Sequence, residues 1–353
     1  MVKRLVIVLS ILVGLVSICI SGCETQEQEV KKLIKALQHK NSQVRRAAAS
    51  KLGEIGEDAK DAVPALTIAL QDESRDVRTS AAGALGAIGK SAIDAVPALI
   101  KTLQNPEVRW HAGEALTKIG KNAVPVLIQA LQNPEVRQYI TEVLARIGED
   151  AKDAVPALIQ TLQDPKGVGR GTIAKALGQI REDAVDAVPA LIQLLRDEVA
   201  NVRSHAAEAL AKIGISAVPS LVQLLQDEVA HVRASAIWTL AKIGKDAVPA
   251  LIQTLQNQDI SVRGNAANVL GQIGEEAVDA VPALTLALQD LDPEVHQYVA
   301  WALGMIGKGA KDAVPVLIQA LKDPEVRDSA AKALKKIGTP KALEAVKAYE
   351  FLQ

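Results

Sequence analysis

The chain has 353 residues, of which 49% are hydrophobic and only 2% aromatic, so its core has to be built from Ala, Val, Leu and Ile. Its 40 basic and 41 acidic residues give a formal net charge of −1. Binding a phosphate backbone requires an excess of positive charge, so this balance argues against a nucleic-acid partner.

Residues 1–22 have the pattern of an export signal. Lys3 and Arg4 precede an apolar run from Leu5 to Ile20 and the small pair Ser21-Gly22. A membrane-spanning helix is the alternative interpretation. The sixteen residues of the apolar run, two of them Ser, fall short of the roughly 20 that a helix needs to cross a bilayer.

The tetrad that ends at Cys23 resembles a bacterial lipobox, with Ile20 in its first position. The resemblance implies cleavage before Cys23 and a lipid on its sulfur, which would anchor the protein to the membrane at the cell envelope. Because Glu24 and not Asp follows, the outer membrane is favoured in a Gram-negative host, and otherwise the outer face of the cytoplasmic membrane. Cys19 would leave with the signal, so no disulfide or Cys-based metal site is expected. Residues 23–29 are predicted to form a short extended tether.

A two-helix unit recurs over residues 30–338, and a clear example runs from Asp246 to Gly274. Apolar residues in helical spacing follow an early Pro, and a Val-Arg pair then opens a stretch that closes on Ile-Gly. Ten such copies in tandem predict an all-α chain, an α-solenoid. Residues 339–353 are predicted to form a C-terminal capping helix and tail. The ten copies are aligned on the early Pro, whose position is occupied by Lys31, Pro64, Pro97, Pro125, Pro156, Pro189, Pro219, Pro249, Pro282 and Pro315.

The length variation among the copies lies in two turns. The stretch from Pro64 to Val77 is two positions longer than that from Pro97 to Val108, and the stretch from Gly56 to Pro64 is three positions longer than that from Gly120 to Pro125. The distance from the Val of Val-Arg to the closing position is the same in every copy, which predicts a second helix of constant length. The residue three positions before each Pro is predicted to be an N-cap. These residues are Asp61, Asp94, Asn122, Asp153, Asp186, Ser216, Asp246, Asp279 and Asp312.

These features resemble HEAT repeats, and among them the short type related to phycobilisome lyases. The resemblance implies a ladder of arginines that pair with Asp or Asn and bridge consecutive repeats, so we interpret the row as structural. In the ninth copy His296 replaces the Arg. The ladder arginines are Arg45, Arg78, Arg109, Arg137, Arg170, Arg203, Arg233, Arg263 and Arg327.

The fifth copy departs further, with Gly169 in place of Val and Arg181 in place of the closing Gly. Three glycines around Arg170 weaken the start of its second helix, because each Gly costs up to about 1 kcal/mol relative to Ala. We expect a local bend near residues 165–171.

One face of the second helices differs most between copies. With the Val as position zero, the residues at positions zero, four, eight and eleven form a predicted buried stripe, and the variable positions two, three, six and ten lie on the opposite side of the helix. We call it the variable face, and in the solenoid family it lines the concave side. Exposed aromatic residues there suit a partner, although each ring could instead fill a gap between repeats. The candidate partner-binding residues are Trp110, His111, Glu114, Tyr139, His205, Glu208, Trp238, Tyr298 and Trp301.

No nucleophile elbow, phosphate loop or His-Glu-x-x-His motif occurs, and no catalytic residue, metal site or cofactor is predicted. His111 with Glu114 and His205 with Glu208 are looser than the adjacent His-Glu dyads of deoxyhypusine hydroxylases, which are also HEAT-like. The two pairs belong to repeats three and six, too far apart to share one ion, so we interpret them as surface pairs.

The sequence therefore favours a membrane-anchored, non-catalytic scaffold that binds a protein or peptide on its concave face. Two alternatives remain open. One is a HEAT-type enzyme resembling the bilin lyases or the hydroxylases. The other is a structural spacer with no dedicated ligand.

Overall fold

The computed structural model describes residues 25–163, 169–289 and 292–351, and within these ranges it contains helices and turns but no strand. The predicted all-α solenoid is confirmed. Each repeat is a hairpin of a first helix, given an odd number, and a second helix, given the next even number. A 3₁₀ turn leads from most second helices into the first helix of the next repeat.

The first helices are α1 Gln26–Ala36, α3 Val63–Ala69, α5 Val96–Thr102, α7 Val124–Ala130, α9 Val155–Leu162, α11 Val188–Leu194, α13 Val218–Gln223, α15 Val248–Thr254, α17 Val281–Ala287 and α19 Val314–Ala320. The second helices are α2 Ser42–Ile55, α4 Arg75–Ile88, α6 Arg109–Ile119, α8 Arg137–Ile147, α10 Arg170–Ile180, α12 Ala200–Ile213, α14 Ala230–Ile243, α16 Ile260–Ile273, α18 Pro293–Ile306 and α20 Arg327–Ile337. The last helix, α21 Pro340–Phe351, packs against α19 and α20 as the predicted cap.

The helices group into two compact units. The first ends at Ala151 and holds repeats one to four, and the second begins at Lys152 and holds repeats five to ten with α21. Inside each unit the predicted buried stripe forms the core. The Leu at position eight of every second helix is fully buried, and burial of one Leu side chain contributes about 1.5 to 3 kcal/mol. These residues are Leu52, Leu85, Leu116, Leu144, Leu177, Leu210, Leu240, Leu270, Leu303 and Leu334.

The N-caps predicted at Asp61 and its counterparts are wrong. A 3₁₀ helix over Gly56–Ala62 leads directly into α3, and the residue before α3 is Ala62 in helical conformation, with no side-chain cap. The N–H of Val63 donates to the carbonyl of Lys60, so the turn itself supplies an acceptor for a helix-terminal N–H group. The Pro does lie in the first turn of the first helices, as predicted.

The constant length predicted for the second helices is also wrong, because they have either 14 or 11 residues. The four shorter second helices are α6, α8, α10 and α20. In α6, α8 and α20 the connection from the first helix is two positions shorter, and the Val lies outside the helix, as at Val108 with φ −117°. The number of residues from the Val to the closing position is constant, but the turn before this stretch decides where regular helix begins.

The N-terminal helix begins earlier than predicted. Thr25 caps α1 at Gln26 through a capping box with Gln28, so residues 26–29 are helical and not part of an extended tether. The predicted signal peptide and the lipidation site Cys23 lie outside the described residues.

In the fifth repeat, α10 has the length of the other short second helices, although its N-cap Gly169 is left-handed at φ 97°. Its glycines therefore do not interrupt the helix, while residues 165–168 of the predicted bend lie outside the described part.

Two helical stretches, Arg75–Thr102 and Ala200–Gln226, are long and apolar enough to cross a bilayer. Each is a second helix that runs on into the first helix of the next repeat.

Candidate recognition face

The arginine ladder begins with a two-pronged ion pair between repeats one and two. Arg45 Nε donates to Asp72 Oδ2 at 2.6 Å, and Arg45 Nη2 donates to Asp72 Oδ1 at 2.7 Å. These hydrogen bonds hold the pKa of the Asp72 carboxyl below its usual range. Arg170 pairs with Asp197 through the same atoms, with the Nε bond at 2.7 Å.

Other ladder arginines also donate to carbonyl groups in the turn of their own repeat, and among them Arg78 pairs with Glu107 of the next repeat. Arg203, for example, donates to the carbonyls of Asp197 and Glu198 and does not reach Asp227, which pairs with Arg196 instead. The spacing explains the difference, because the shorter Gly-to-Pro turn leaves Arg203 three positions nearer to Asp227 along the chain than Arg45 is to Asp72. Hydrogen bonds to own-turn carbonyls are also made by Arg45, Arg78, Arg109, Arg137, Arg233 and Arg263.

The most exposed aromatic residue of the variable face lies in the first unit. Trp110 at the start of α6 has 62% of its surface exposed, and its ring meets that of His111 edge-on at 4.9 Å. Tyr139 of α8 is half-buried, with the guanidinium of Arg109 stacked 4.1 Å from its ring centre. Such a cation–π contact between repeats holds the tyrosine ring in place.

A cavity of about 220 Å³ opens beside these rings, between α6 and α8. Apolar and aromatic side chains form most of it, while Glu142 and Arg146 stand at its edge. Arg146 Nη1 donates to Glu114 at 2.7 Å, so Glu114 is held by the next repeat and not by His111. The cavity is lined by Leu103, Pro106, Arg109, Trp110, Gly113, Tyr139, Glu142, Val143 and Arg146.

The aromatic residues of the second unit lie closer to their neighbours. The ring of Tyr298 lies against Gly264, where an added Cβ would be 3.3 Å from Cδ2. Trp301 covers Gly271 of the preceding repeat and keeps 37% of its surface exposed. Trp238 is 39% exposed, with the ammonium of Lys242 5.7 Å from its ring centre. Tyr298 and Trp301 therefore pack on glycines of the preceding repeat, as the alternative role considered for these rings predicts, while Trp301 stays partly exposed and Tyr298 also lines a cavity of about 420 Å³.

The His-x-x-Glu pairs do not form joint sites. His111 and Glu114 belong to the first unit, and His205 and Glu208 to the second. The Nδ1 atoms of both histidines are buried without a hydrogen-bond partner among the described residues. His205 lies against Gly171, where a Cβ would approach Nδ1 to 2.9 Å, and Glu208 is exposed.

One determinant of the face was missed from the sequence, namely position nine of the second helix. Where it is Gly, the helix meets an Ala at position seven of the next repeat, as at Gly86, whose added Cβ would lie 2.9 Å from Ala115 Cα. Thr117 occupies position nine of α6, and the next repeat has Val143 at position seven, where it lines the cavity beside Trp110. The other Gly–Ala joints are Gly53 with Ala84, Gly178 with Ala209, Gly271 with Ala302, and Gly304 with Ala333.

These stacked hairpins match a known family across most of the chain. The model for HEAT repeats matches residues 30–116, 124–211, 188–251, 218–288 and 281–349. The chain is a HEAT-repeat protein.

Several solved structures are similar to this HEAT-repeat protein. Kap121p aligns with a TM-score of 0.50 at 14% identity, over 94% of this chain and 43% of its own. Importin beta aligns with a TM-score of 0.45 at 18% identity, over 93% and 53%. An engineered protein is 28% identical over 88% of this chain and 99% of its own, with a TM-score of 0.37. The chain thus spans about half the length of Kap121p and importin beta, and the Kap121p likeness shows the fold alone. No curated protein matches the sequence.

Within residues 25–163, 169–289 and 292–351, no three His, Cys, Asp or Glu side chains group closely enough to hold a metal ion. The arrangement beside Trp110 instead provides an exposed ring, a small apolar cavity and charged groups at its rim. These are the elements of a surface that recognises another side chain.

Proposed function

We propose that this HEAT-repeat protein is a non-catalytic scaffold that binds a protein or peptide through the variable face at repeats three and four. The observation that carries the proposal is the exposure of Trp110, 62% of whose surface is open to solvent beside a cavity. Trp residues next to well-packed pockets dominate the binding energy of many interfaces. In the solenoid family this face is the concave one.

The size of the cavity favours a side chain of a partner over a separate small molecule. Its volume of about 220 Å³ lies below the roughly 300 to 1,000 Å³ usual for ligand pockets. The Arg109–Tyr139 stack fixes one wall, so little side-chain freedom is lost there on binding. Arg146 and Glu142 at the rim provide charges that can set the orientation of a bound segment.

The experiment is selection of peptides from a random library on the purified protein, followed by affinity measurements with three variants. Trp110→Ala should weaken binding at least tenfold, because a hot-spot Trp contributes more than about 2 kcal/mol. Gly113 lines the same cavity, so Gly113→Leu fills part of it and should weaken binding as well. Ile68→Ala is the control, since Ile68 is 75% exposed on a first helix of the same unit.

Two results would contradict this function. One is that no peptide is enriched on the protein. The other is that the enriched peptides bind Trp110→Ala and Gly113→Leu as tightly as the unchanged chain, which would favour a spacer without a dedicated ligand.

We also propose that the scaffold is anchored to the membrane of the cell envelope through a lipid on Cys23. The support is the signal-like sequence of residues 1–22 and the lipobox-like tetrad. Cys23→Ser should shift the protein from the detergent phase to the aqueous phase in phase partitioning. Cys19→Ser is the matched control and should leave the partitioning unchanged, because Cys19 would be removed with the signal. Detergent partitioning of Cys23→Ser equal to that of the original chain would rule the anchor out.

The short interval between equivalent positions of neighbouring copies, as from Pro97 to Pro125, supports assignment of the repeats to the short type related to phycobilisome lyases. A likeness of repeats indicates a scaffold and carries no activity with it.

A further inference from the structure

The cavity of about 420 Å³ lies in the second unit and is formed by three consecutive repeats. Its walls are the turn before α14 in repeat seven and the N-terminal ends of α16 and α18 in repeats eight and nine. Its volume falls within the roughly 300 to 1,000 Å³ that is usual for ligand pockets. The cavity beside Trp110 is smaller and belongs to the first unit, so the two are separate.

Two side chains of this cavity are held in place by contacts between repeats. Asn265 of α16 donates from Nδ2 to the carbonyl of Leu225, a residue in the turn of the preceding repeat, at 2.9 Å. The ring of Tyr298 lies on Gly264, where the missing side chain leaves room for it. The amide and the ring are thus positioned within the array itself, and a ligand loses little affinity to ordering them.

The charges of the lining are mostly negative. Arg233 is the basic residue among the described side chains of the lining, and its Nη1 donates to the carbonyls of Asp227 and Glu228 at 2.6 and 3.0 Å. Asp227 itself pairs with Arg196, which lies outside the lining. Negative charge therefore remains in excess. The carboxylates of the lining belong to Asp227, Glu228, Asp259 and Glu294.

Three of these carboxylates have no cation of their own in the described part of the chain. Glu228 and Glu294 are exposed, and their side chains make no hydrogen bond or ion pair there. Asp259 caps α16 by accepting from the N–H of Val262 with Oδ1, which leaves Oδ2 open. A concave wall lined by charges of one sign raises the local concentration of ions of the opposite sign.

The repeat spacing explains why the array does not neutralise this wall. Between repeats two and three, Arg78 pairs with Glu107. Arg233 and Asp259 occupy the corresponding positions of repeats seven and eight and form no ion pair in the described structure. The Gly-to-Pro turn between them is the short one, so Arg233 stands three positions nearer to Asp259 along the chain than Arg78 stands to Glu107.

We propose that this cavity binds a basic side chain, Arg or Lys, of a protein partner. The cation lies against the ring of Tyr298, and the carboxylates of Glu228 and Glu294 accept its hydrogen bonds. The aliphatic stem of such a side chain packs on Ile260, which is 44% exposed in the wall of the cavity. The carboxylates of the described residues do not group closely enough to hold a metal ion, which favours an organic cation.

The test uses the full chain without the signal-like residues 1–22, labelled with 3-fluorotyrosine. The chain has three tyrosines, so fluorine NMR gives one resonance for each, and that of Tyr298 is assigned by its loss in Tyr298→Phe. The probes are acetyl-Gly-Arg-Gly-amide and acetyl-Gly-Lys-Gly-amide at constant ionic strength. We expect a saturable shift of the Tyr298 resonance and none for Tyr349. The neutral peptide acetyl-Gly-Gln-Gly-amide should shift neither.

The double variant Glu228→Gln/Glu294→Gln should raise the Kd for the basic peptides at least tenfold, because it removes both acceptors of the cation. Glu275→Gln is the matched control, since it removes an exposed carboxylate of the same unit outside the lining, and it should leave the Kd unchanged.

Three results would overturn the proposal. The first is that neither basic peptide gives a saturable shift of the Tyr298 resonance. The second is that the double variant binds the peptides as tightly as the original chain. The third is that guanidinium chloride binds as tightly as the Arg peptide, which would assign the cavity to free cations.

Discussion

The indole ring of Trp301 lies across Gly271 of the preceding repeat so closely that an added Cβ at position 271 would stand 2.1 Å from its Cζ3 atom. Ala302 Cα would be 3.0 Å from the same Cβ, so backbone and ring both occupy the space above the glycine. The close approach of α16 and α18 therefore depends on the absence of a side chain at position 271.

Gly271→Ala should destabilise the second unit by about 1 to 3 kcal/mol, because overpacking outweighs the gain of up to about 1 kcal/mol in helix propensity. Urea unfolding of both proteins measures the difference. Gly83→Ala is the control in another second helix, where nothing lies within 4 Å of the added methyl, and it should be neutral or stabilising. Equal stability of Gly271→Ala and the original chain would show that the ring moves aside without cost.

Arg181→Gly should stabilise the protein by about 1 kcal/mol or more. Arg181 has φ 62° and ψ −134°, the conformation that glycine adopts at this position in the neighbouring repeats, and a side chain there is strained. Arg181→Ala also removes the contacts of the side chain but keeps the strain, so it serves as the control in thermal unfolding. If the two variants melt together, the backbone at Arg181 carries no strain.

The ion pair between Arg45 and Asp72 should make the free energy of unfolding depend on pH. Because the folded pKa of Asp72 is lowered, its contribution is complete above the unfolded pKa of about 3.9 and is lost as pH falls through the folded value. Asp72→Asn should therefore be less stable than the original chain at pH 7, and the gap should narrow toward pH 3. Urea midpoints at several pH values measure the gap. Asp58→Asn, at an exposed site, should leave the midpoints nearly unchanged, and a pH-independent gap for Asp72→Asn would contradict the ion pair.

Leu210→Ala should cost about 2 to 5 kcal/mol, because Leu210 is fully buried in α12. In a stack of repeats this loss can remain within the second unit, so calorimetry should show two melting steps in place of one. Leu286→Ala makes the same change at a side chain that is 70% exposed in the same unit, and it should alter little. One sharp transition at a lower temperature would instead mean that the two units unfold together.

The repeat pattern was sufficient to predict the hairpins, because the same aliphatic spacing recurs in every copy and the buried Leu at position eight follows from it. The helix ends were harder to predict. Asp61 is a good N-cap by residue type, but the 3₁₀ turn before α3 already provides acceptors for the free N–H groups. Turn geometry depends on contacts between neighbouring repeats, which a single copy does not reveal.

The candidate site was predictable only in part for the same reason. The exposure of Trp110 follows from its position on the helix, whereas the close packing of the Tyr298 and Trp301 rings depends on the glycines of the preceding repeat.

The residue at position nine of a second helix gives this chain a simple route of divergence. Gly86 and its counterparts let a second helix approach the backbone of an Ala in the next repeat. After duplication of a hairpin, one codon change from Gly to a larger residue at this position would force the two second helices apart, with both helices retained. Chains of this kind can therefore change the spacing of their repeats by point mutation, without the insertion of loops.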